Sequence, residues 1–166
     1  ARKSGPPAEA TAVAEHLGIP IAGDTFGVPV RHRLHCGPLG QAVATIRPDL
    51  VVCIGVRHSS QGLPEDFGPL SKAKRTIAIG PDVANLKNIP GLDLAILADE
   101  RRTLERLREA ALTDPAADDF DERRTWAQEK AHALLAERIK AAQRVGPQPS
   151  KVRPWVLADA LDRALD

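Results

Sequence analysis

Four residues of this chain are of types that bind nucleotides, and each follows a strand-like run. Gly55 and Arg57 come after the apolar run at 50–54, and Asp82 and Asp99 come after two later apolar runs. A glycine just past a buried strand is typical of a nucleotide-type crevice, and an arginine can bind phosphate through two parallel hydrogen bonds. A carboxylate at a strand end can accept hydrogen bonds from ribose hydroxyls. The glycine after a buried strand therefore predicts a nucleotide-type crevice, with Gly55, Arg57, Asp82 and Asp99 as the candidate residues of its lining.

The charged residues of this set also have structural interpretations. Arg57 can pair with Glu65 or Asp66 in the following loop instead of binding phosphate, and the sequence leaves both interpretations open. Asp99 and Glu100 open a predicted helix, where an acid accepts bonds from the first backbone amides and is stabilised by the helix dipole. For these two acids, the sequence favours the capping role over ligand binding.

The sequence predicts no catalytic and no metal-binding residue. His32, His35 and His58 lack the spacing of known zinc sites and have no obvious acidic or thiolate third ligand, so solvated loop histidines are the favoured interpretation. Ser59 and Ser60 stand beside a histidine but lack the G-x-S-x-G pattern of a nucleophile elbow. Both serines are therefore interpreted as polar residues of a solvated loop.

Composition is that of an ordinary globular domain. The 166 residues are 43% hydrophobic and 27% charged, with a formal net charge of +1, which suits one α/β domain with a modest appendage. Basic residues stand beside acids and only 3% of residues are aromatic, so nucleic acid is not an expected partner. No apolar run could cross a bilayer and no secretory signal is visible, so we expect a cytoplasmic protein without a membrane partner. Cys36 and Cys53 lack C-x-x-C spacing and imply no redox role.

Alternating helices and strands predict the fold. Apolar residues at spacings of three and four indicate helices, and short Leu-, Val- and Ile-rich runs bounded by Gly or Pro indicate strands. The predicted helices cover 6–17, 41–46, 83–86 and 100–112, and the predicted strands cover 19–22, 50–54, 76–79 and 92–97. This order predicts an α/β, Rossmann-like parallel sheet with helices on both faces. The long loop at 55–74 is expected to line a site or an interface.

The C-terminal part is predicted to be helical. Residues 118–144 are strongly charged but carry an apolar stripe that includes Ala127 and Leu134, so we expect a helix packed on this domain or on a neighbouring one. The Gly and Pro content of 145–150 predicts a linker. A proline at the first turn favours a final amphipathic helix over 154–165.

Several short motifs follow one another in a definite order. They are LGIPI at 17–21, HCGPLG at 35–40, DLVVCIGVR at 49–57, IAIGPD at 77–82 and ADE at 98–100. In this order they resemble the central domain of thiamine-diphosphate-dependent enzymes of the acetolactate synthase and benzoylformate decarboxylase group. The resemblance covers nearly the whole chain, and it is the order of the motifs, more than any one of them, that is specific.

The resemblance implies three segments. Residues 1–117 correspond to the central domain, which we expect to be truncated at its N-terminus. Residues 118–150 correspond to a helical linker that includes Trp126, and residues 151–166 to the start of the C-terminal cofactor-binding domain. The implied partners are the N- and C-terminal catalytic domains of the same polypeptide, in a homodimer or homotetramer.

The resemblance also implies a function. The chain would be the structural, FAD- or nucleotide-binding-like central domain of an acetolactate-synthase-like 2-keto acid decarboxylase or carboligase that uses thiamine diphosphate and Mg²⁺. In that family the catalytic glutamate lies in the N-terminal domain, and the G-D-G…N motif that holds the metal and diphosphate would follow Asp166. The chain by itself is therefore expected to lack the catalytic residues.

The resemblance bears on the ligand of the crevice as well. Some relatives hold FAD or ADP in this domain, and Gly55 and Arg57 match the family's glycine and arginine. Gly80, however, stands where the family has its first strand-end acid, and only Asp82 is acidic. We therefore expect no FAD to copurify and at most weak binding of an adenine nucleotide near Arg57. A stand-alone adenine-nucleotide-binding regulatory module is the alternative interpretation.

Overall fold

Three parallel strands form the sheet. The computed structural model of the protein describes residues 7–23, 28, 32–56, 68–89, 91–113 and 120–144, together with the helical positions 157, 160, 161 and 164. The strands β1 (Leu50–Ile54), β2 (Arg75–Gly80) and β3 (Leu94–Leu97) lie in the order β1-β2-β3. Both pairings are parallel, with Cys53 beside Ala78 and Ala78 beside Ala95.

Helices cover both faces of this sheet. They are α1 (Pro7–Leu17), α2 (Leu39–Ile46), α3 (Val83–Leu86), α4 (Glu100–Leu112) and α5 (Phe120–Arg144), with a 3₁₀ helix at Gly68–Lys72. On one face, Cys53 and Ala78 are buried in a cluster with Leu86 of α3 and Leu70 of the 3₁₀ helix. On the other face, α4 lies against β2 and α1 packs on α4. The predicted Rossmann-like α/β fold is confirmed.

The helix ends have local causes. Gly18 directly after α1 has a φ of +64°, the left-handed conformation that closes many helices and that glycine adopts without strain. Arg47 after α2 is also left-handed, at 51°, and its N–H donates to the carbonyl of Val43 at 2.9 Å. Pro48 follows, and a proline disfavours helical backbone in the residue before it. The chain then turns directly into β1.

The sequence predicted that 19–22 is a strand of the sheet, and the structure corrects this prediction. The segment does not join the described sheet. Ile21 forms only an isolated parallel bridge to His35. Its N–H donates to the carbonyl of Leu34 at 2.8 Å, and its carbonyl accepts from the N–H of Cys36 at 2.7 Å. The segment is extended as predicted, but it pairs with the 34–36 segment because that segment lies beside it under α1 and α5. Among the described residues, the sheet therefore has three strands where the sequence predicted four.

Helix α5 packs on the domain through the predicted apolar stripe. Ala131 and Leu134 are buried with Cys36 and Ala42. Ala127 is buried in a second cluster that includes Leu34 and Ala14 of α1. This helix therefore supplies much of the core that lies away from the sheet.

The remaining described positions fall in the predicted final helix. Leu157, Ala160, Leu161 and Ala164 are helical, in agreement with the predicted span of 154–165. Across the described residues, no helix combines the length and apolar character needed to cross a membrane.

Candidate functional site

A crevice of about 300 Å³ opens at the carboxyl ends of β1 and β2. Its floor is apolar and is formed by Cys53, Ala78, Ile79, Leu86 and Ile89. Its mouth is formed by Gly55, Gly80, Asp82, Asn85 and Glu100, with Val56 and Pro81 beside them. In open α/β sheets this end of the strands is where ligands bind. A crevice thus lies at the strand ends where the sequence predicted one, and a ligand for it stays a prediction.

Two glycines create the opening. Gly55 has a φ of +65° directly after β1, and its N–H donates to the carbonyl of Ile79 at 3.3 Å. In this conformation the chain turns away from the sheet directly after the last hydrogen bond between β1 and β2. A residue with a Cβ adopts the same conformation at a cost of about 1–2 kcal/mol. Gly80 ends β2, and a Cβ there would lie 3.8 Å from Cδ2 of Leu86. Without side chains at these two positions, the strand ends border open space.

Asp82 lies in the crevice wall and also caps α3. Its carboxylate accepts the backbone N–H of Ala84 at 2.8 Å and the side-chain amide of Asn85 at 2.9 Å. These bonds satisfy the first turn of a very short helix. Because a carboxylate has about four acceptor positions, the capping bonds leave Asp82 able to accept from a ligand as well.

Asp99 has the capping role that the sequence favours. It is exposed, and its carboxylate accepts the N–H of Arg102 at 2.9 Å at the start of α4. It does not line the crevice. The structure therefore brings Gly55 and Asp82 together in one crevice and leaves Asp99 beside it. Arg57 lies outside the described residues, and its predicted role stays a prediction.

Glu100, an acid for which the sequence favoured a capping role, also lines the crevice. Glu100, the first residue of α4, is only 8% exposed. Both of its carboxylate oxygens lie 3.2 Å from the position that a Cβ on Gly55 would occupy, and Oε1 lies 3.9 Å from the equivalent position on Gly80. Its carboxylate thus sits between the ends of β1 and β2. The sequence signal for Glu100 is its position beside Asp99 at the start of a helix. One acid suffices to cap a helix start, so a second acid there is available for another role.

The thiol on the crevice floor is not a nucleophile. Burial raises the pKa of Cys53 from 9.0 to about 11, and it does the same for Cys36 in the neighbouring core. Both thiols are therefore protonated at neutral pH, and the thiolate is the reactive form. Cys53 acts here as a small apolar side chain.

The prediction of solvated loop histidines was wrong for His35. This residue is buried, and its Nε2 lies 3.3 Å from the carbonyl oxygen of Gly23, while the N–H of Gly37 donates to its Nδ1 at 3.2 Å. The two bonds require the neutral ring with its proton on Nε2. His32 is partly buried and its Nε2 lies 3.2 Å from a carboxylate oxygen of Glu15. Within the described part of the chain, no three His, Cys, Asp or Glu side chains are placed to hold a metal ion.

Comparison with known proteins assigns no family. No protein-family model matches the chain. No curated protein matches it either. Inference about function therefore rests on the crevice, the sheet and the order of the sequence motifs.

Proposed function

We propose that the chain is the central domain of a thiamine-diphosphate- and Mg²⁺-dependent 2-keto acid decarboxylase or carboligase of the acetolactate synthase type. Its role is structural, and it packs between the N- and C-terminal catalytic domains of the same polypeptide. The order of motifs supports this proposal. The described residues of these motifs, 49–56, 77–82 and 98–100, lie at or directly after the carboxyl ends of three neighbouring parallel strands.

The observation that carries the proposal is an apolar sheet face that is only partly covered. Parallel register places Val52 and Leu94 on the same side of the sheet, and Leu50 lies two residues before Val52 on that side. These side chains are 41%, 50% and 47% exposed, respectively. A contiguous exposed apolar patch on a protein surface marks a site of contact with another surface. Packing against a catalytic domain would remove this face from water.

The edge of the sheet supports the same conclusion. At the two ends of β1, the backbone carbonyl of Asp49 accepts from the N–H of Arg75, and the N–H of Gly55 donates to the backbone carbonyl of Ile79. In a parallel ladder, alternate residues bond to one neighbour, so the even-numbered residues of β1 direct their backbone groups away from β2. No strand among the described residues pairs with that side. An edge of this kind accepts a further strand readily.

The crevice residues do not fit FAD. The carboxylates of Asp82 and Glu100 border the crevice, where the pyrophosphate of a dinucleotide would meet like charge. A volume of about 300 Å³ is also at the small end for ligand sites, which run from about 300 to 1,000 Å³. Thiamine diphosphate supplies carbanion stabilisation when it is bound in the whole enzyme. The 166 residues contain no G-D-G motif for it, so this chain's own residues act in packing.

The parent gene tests the proposal. The supporting result is a G-D-G…N stretch encoded after Asp166, in a protein whose 2-keto acid turnover requires added thiamine diphosphate and Mg²⁺. A gene without that stretch, or a whole protein indifferent to both cofactors, overturns it.

A pair of variants tests the packing role in the whole protein. Val52→Lys places a charge on the partly covered sheet face and should lower the yield of assembled enzyme and its melting temperature. Leu112→Lys makes the same change at an exposed position of α4, where Leu112 is outside that face, and should have little effect. Equal behaviour of the two variants would mean that nothing covers the sheet face.

A crevice at the carboxyl ends of parallel strands, where ligands bind in such sheets, is the observation behind a second candidate, a stand-alone adenine-nucleotide-binding regulatory module; the carboxylates at the mouth oppose its phosphates. This function predicts that the 166-residue chain binds ADP with micromolar affinity. The structural role predicts binding that is weak or not measurable. Calorimetric titration of the chain with ADP distinguishes them.

A further inference from the structure

We propose that the final helix of one chain covers the partly exposed sheet face of a second copy, and that the second copy's helix does the same in return. The final helix is defined by its described positions 157, 160, 161 and 164, and the apolar patch on the sheet by Leu50, Val52 and Leu94. The inference rests on the packing role proposed above, because it names the element that covers this face.

The first argument is that a parallel sheet needs helices on both of its faces. Sheets of this kind occur almost only where both faces are covered. Helix α4 lies against the middle strand, β2, but the side chains of the apolar patch on the two outer strands are 41% to 50% exposed. A further helix is therefore the element that fits on the apolar patch.

The second argument is the apolar stripe of the final helix. Its described residues are Leu157, Ala160, Leu161 and Ala164, and their spacing of i, i+3, i+4 and i+7 places them on one side of the helix. All four are exposed, with 51% of Leu157 and 52% of Leu161 open to water. Because most of the stability of a helix in a protein comes from packing of its apolar side, this stripe needs a partner surface.

The third argument is that the two surfaces match in size. From position 157 to position 164 the helix rises by about 10 Å, at 1.5 Å per residue. On the sheet, Val52 and Leu94 lie on either side of Ile77 in one register row. Two strand spacings separate them, which also amounts to about 10 Å. The stripe therefore covers the patch without leaving much of either surface in water.

The fourth argument is charge. Arg75 is exposed and is the register partner of Leu50, so it borders the apolar patch on the same side of the sheet. Three of the four charged residues at 157–166 are acids, Asp159, Asp162 and Asp166. Opposite charges on two surfaces speed their encounter and disfavour wrong partners.

The exposure of both surfaces in the same chain indicates a second copy as the occupant. In a two-fold dimer each helix covers the patch of the other chain, so every contact occurs twice. The translational freedom lost on association is the same as for a single contact. Twice the apolar surface is thus removed from water in one association step.

Sedimentation velocity of the 166-residue chain at a series of micromolar concentrations tests the proposal. The expected result is a dimer whose fraction rises with concentration. Leu161→Asp on the final helix and Leu94→Asp on β3 should each weaken dimerisation by about tenfold to a hundredfold, because each removes two apolar contacts and buries two charges. Leu97→Asp is the matched control: Leu97 is also on β3 and is 59% exposed, but it lies on the opposite face from Leu94, so dimerisation should be unchanged.

Cross-linking shows whether the helix belongs to the same chain or to the second copy. A chain that carries both Val52→Cys and Leu161→Cys is treated with a flexible bismaleimide reagent and separated under denaturing conditions. The native thiols Cys36 and Cys53 are buried, and burial raises the pKa of both to about 11, so they stay protonated and unreactive at neutral pH. The expected product is a covalent dimer.

Four results would overturn the proposal. They are a chain that stays monomeric at every concentration, a dimer that Leu161→Asp does not weaken, equal weakening by Leu94→Asp and Leu97→Asp, or a cross-link formed only within one chain. Circular dichroism shows whether the aspartate variants are folded, and if Leu94→Asp is not, Leu161→Asp and the cross-linking decide. A monomeric chain leaves the proposed function in place, because the parent gene and its cofactor requirement test that function separately.

Discussion

The contact between α1 and α5 at Gly18 gives the sharpest stability prediction. Gly18 has a φ of +64°, and a Cβ there would lie 2.6 Å from the backbone nitrogen of Arg124 and 2.8 Å from the carbonyl carbon of Arg123. Both atoms belong to the backbone of α5, so no side chain can move aside. Gly18→Ala must therefore strain its own backbone and push the two helices apart.

A matched glycine separates these two effects. Gly91 has nearly the same φ, +68°, but a Cβ there would meet nothing within 4 Å. Left-handed backbone costs about 1–2 kcal/mol for a residue with a Cβ, and alanine lowers the entropy of the unfolded chain by a similar amount at either site. Overpacking adds about 1–3 kcal/mol at Gly18 only. The difference between Gly18→Ala and Gly91→Ala should therefore be about 1–3 kcal/mol.

Equilibrium unfolding in urea measures this difference. The expected result is a lower midpoint for Gly18→Ala than for Gly91→Ala at an unchanged denaturant slope, since the slope reports the surface exposed on unfolding. Equal midpoints for the two variants would refute the close crossing of α1 and α5. The packing of α5 on this domain would then be refuted with it.

Three further outcomes can be measured. Asp99→Ala removes the bond from Arg102 and should lower the free energy of unfolding by about 0.5–2 kcal/mol; an unchanged urea midpoint would contradict the cap. The pKa values of Cys36 and Cys53 are raised by burial from 9.0 to about 11, so the unfolded chain loses these protons first and stability should fall between pH 9 and 11, by about 2–3 kcal/mol per thiol. Replacing both cysteines with alanine should flatten that part of the pH profile, and an unchanged profile would rule the thiols out. Finally, the purified chain with added thiamine diphosphate and Mg²⁺ should release no carbon dioxide from pyruvate or benzoylformate, and measurable release would contradict the proposed division of residues between domains.

The sequence alone determined the elements whose signals are local. The runs that form β1 and β2 are apolar and bounded by proline or glycine, and the starts of α3 and α4 carry acids that bond to their own first turns. Gly18 ends α1 because glycine adopts the left-handed conformation without strain, a property of this one residue. Each of these features depends on neighbours within about four positions of the chain, which is the range that periodicity and capping report.

The parallel order of the sheet and the position of the crevice were also predictable. The predicted apolar runs are joined by helices and by one long loop, an order that permits few arrangements, and ligand crevices in such sheets form at the carboxyl ends of the strands. Gly55 and Asp82 line the crevice at this end of the sheet, and their role in binding stays a prediction. Arg57 stays a prediction, and so do the thiamine-diphosphate family and its partners.

Only the tertiary structure decided which distant segments meet. The extended segment at 19–22 bonds to the 34–36 segment and not to β1, because strand pairing depends on which backbone lies alongside, and one sequence does not contain that choice. The burial of His35 depends on the same neighbours. From the sequence, Glu100 is interpreted as a second capping acid. In the fold, the strand ends place Gly55 over its carboxylate and Gly80 beside it. Its environment is built from three segments separated by about twenty residues or more, and contacts at that separation are set by packing of the whole domain.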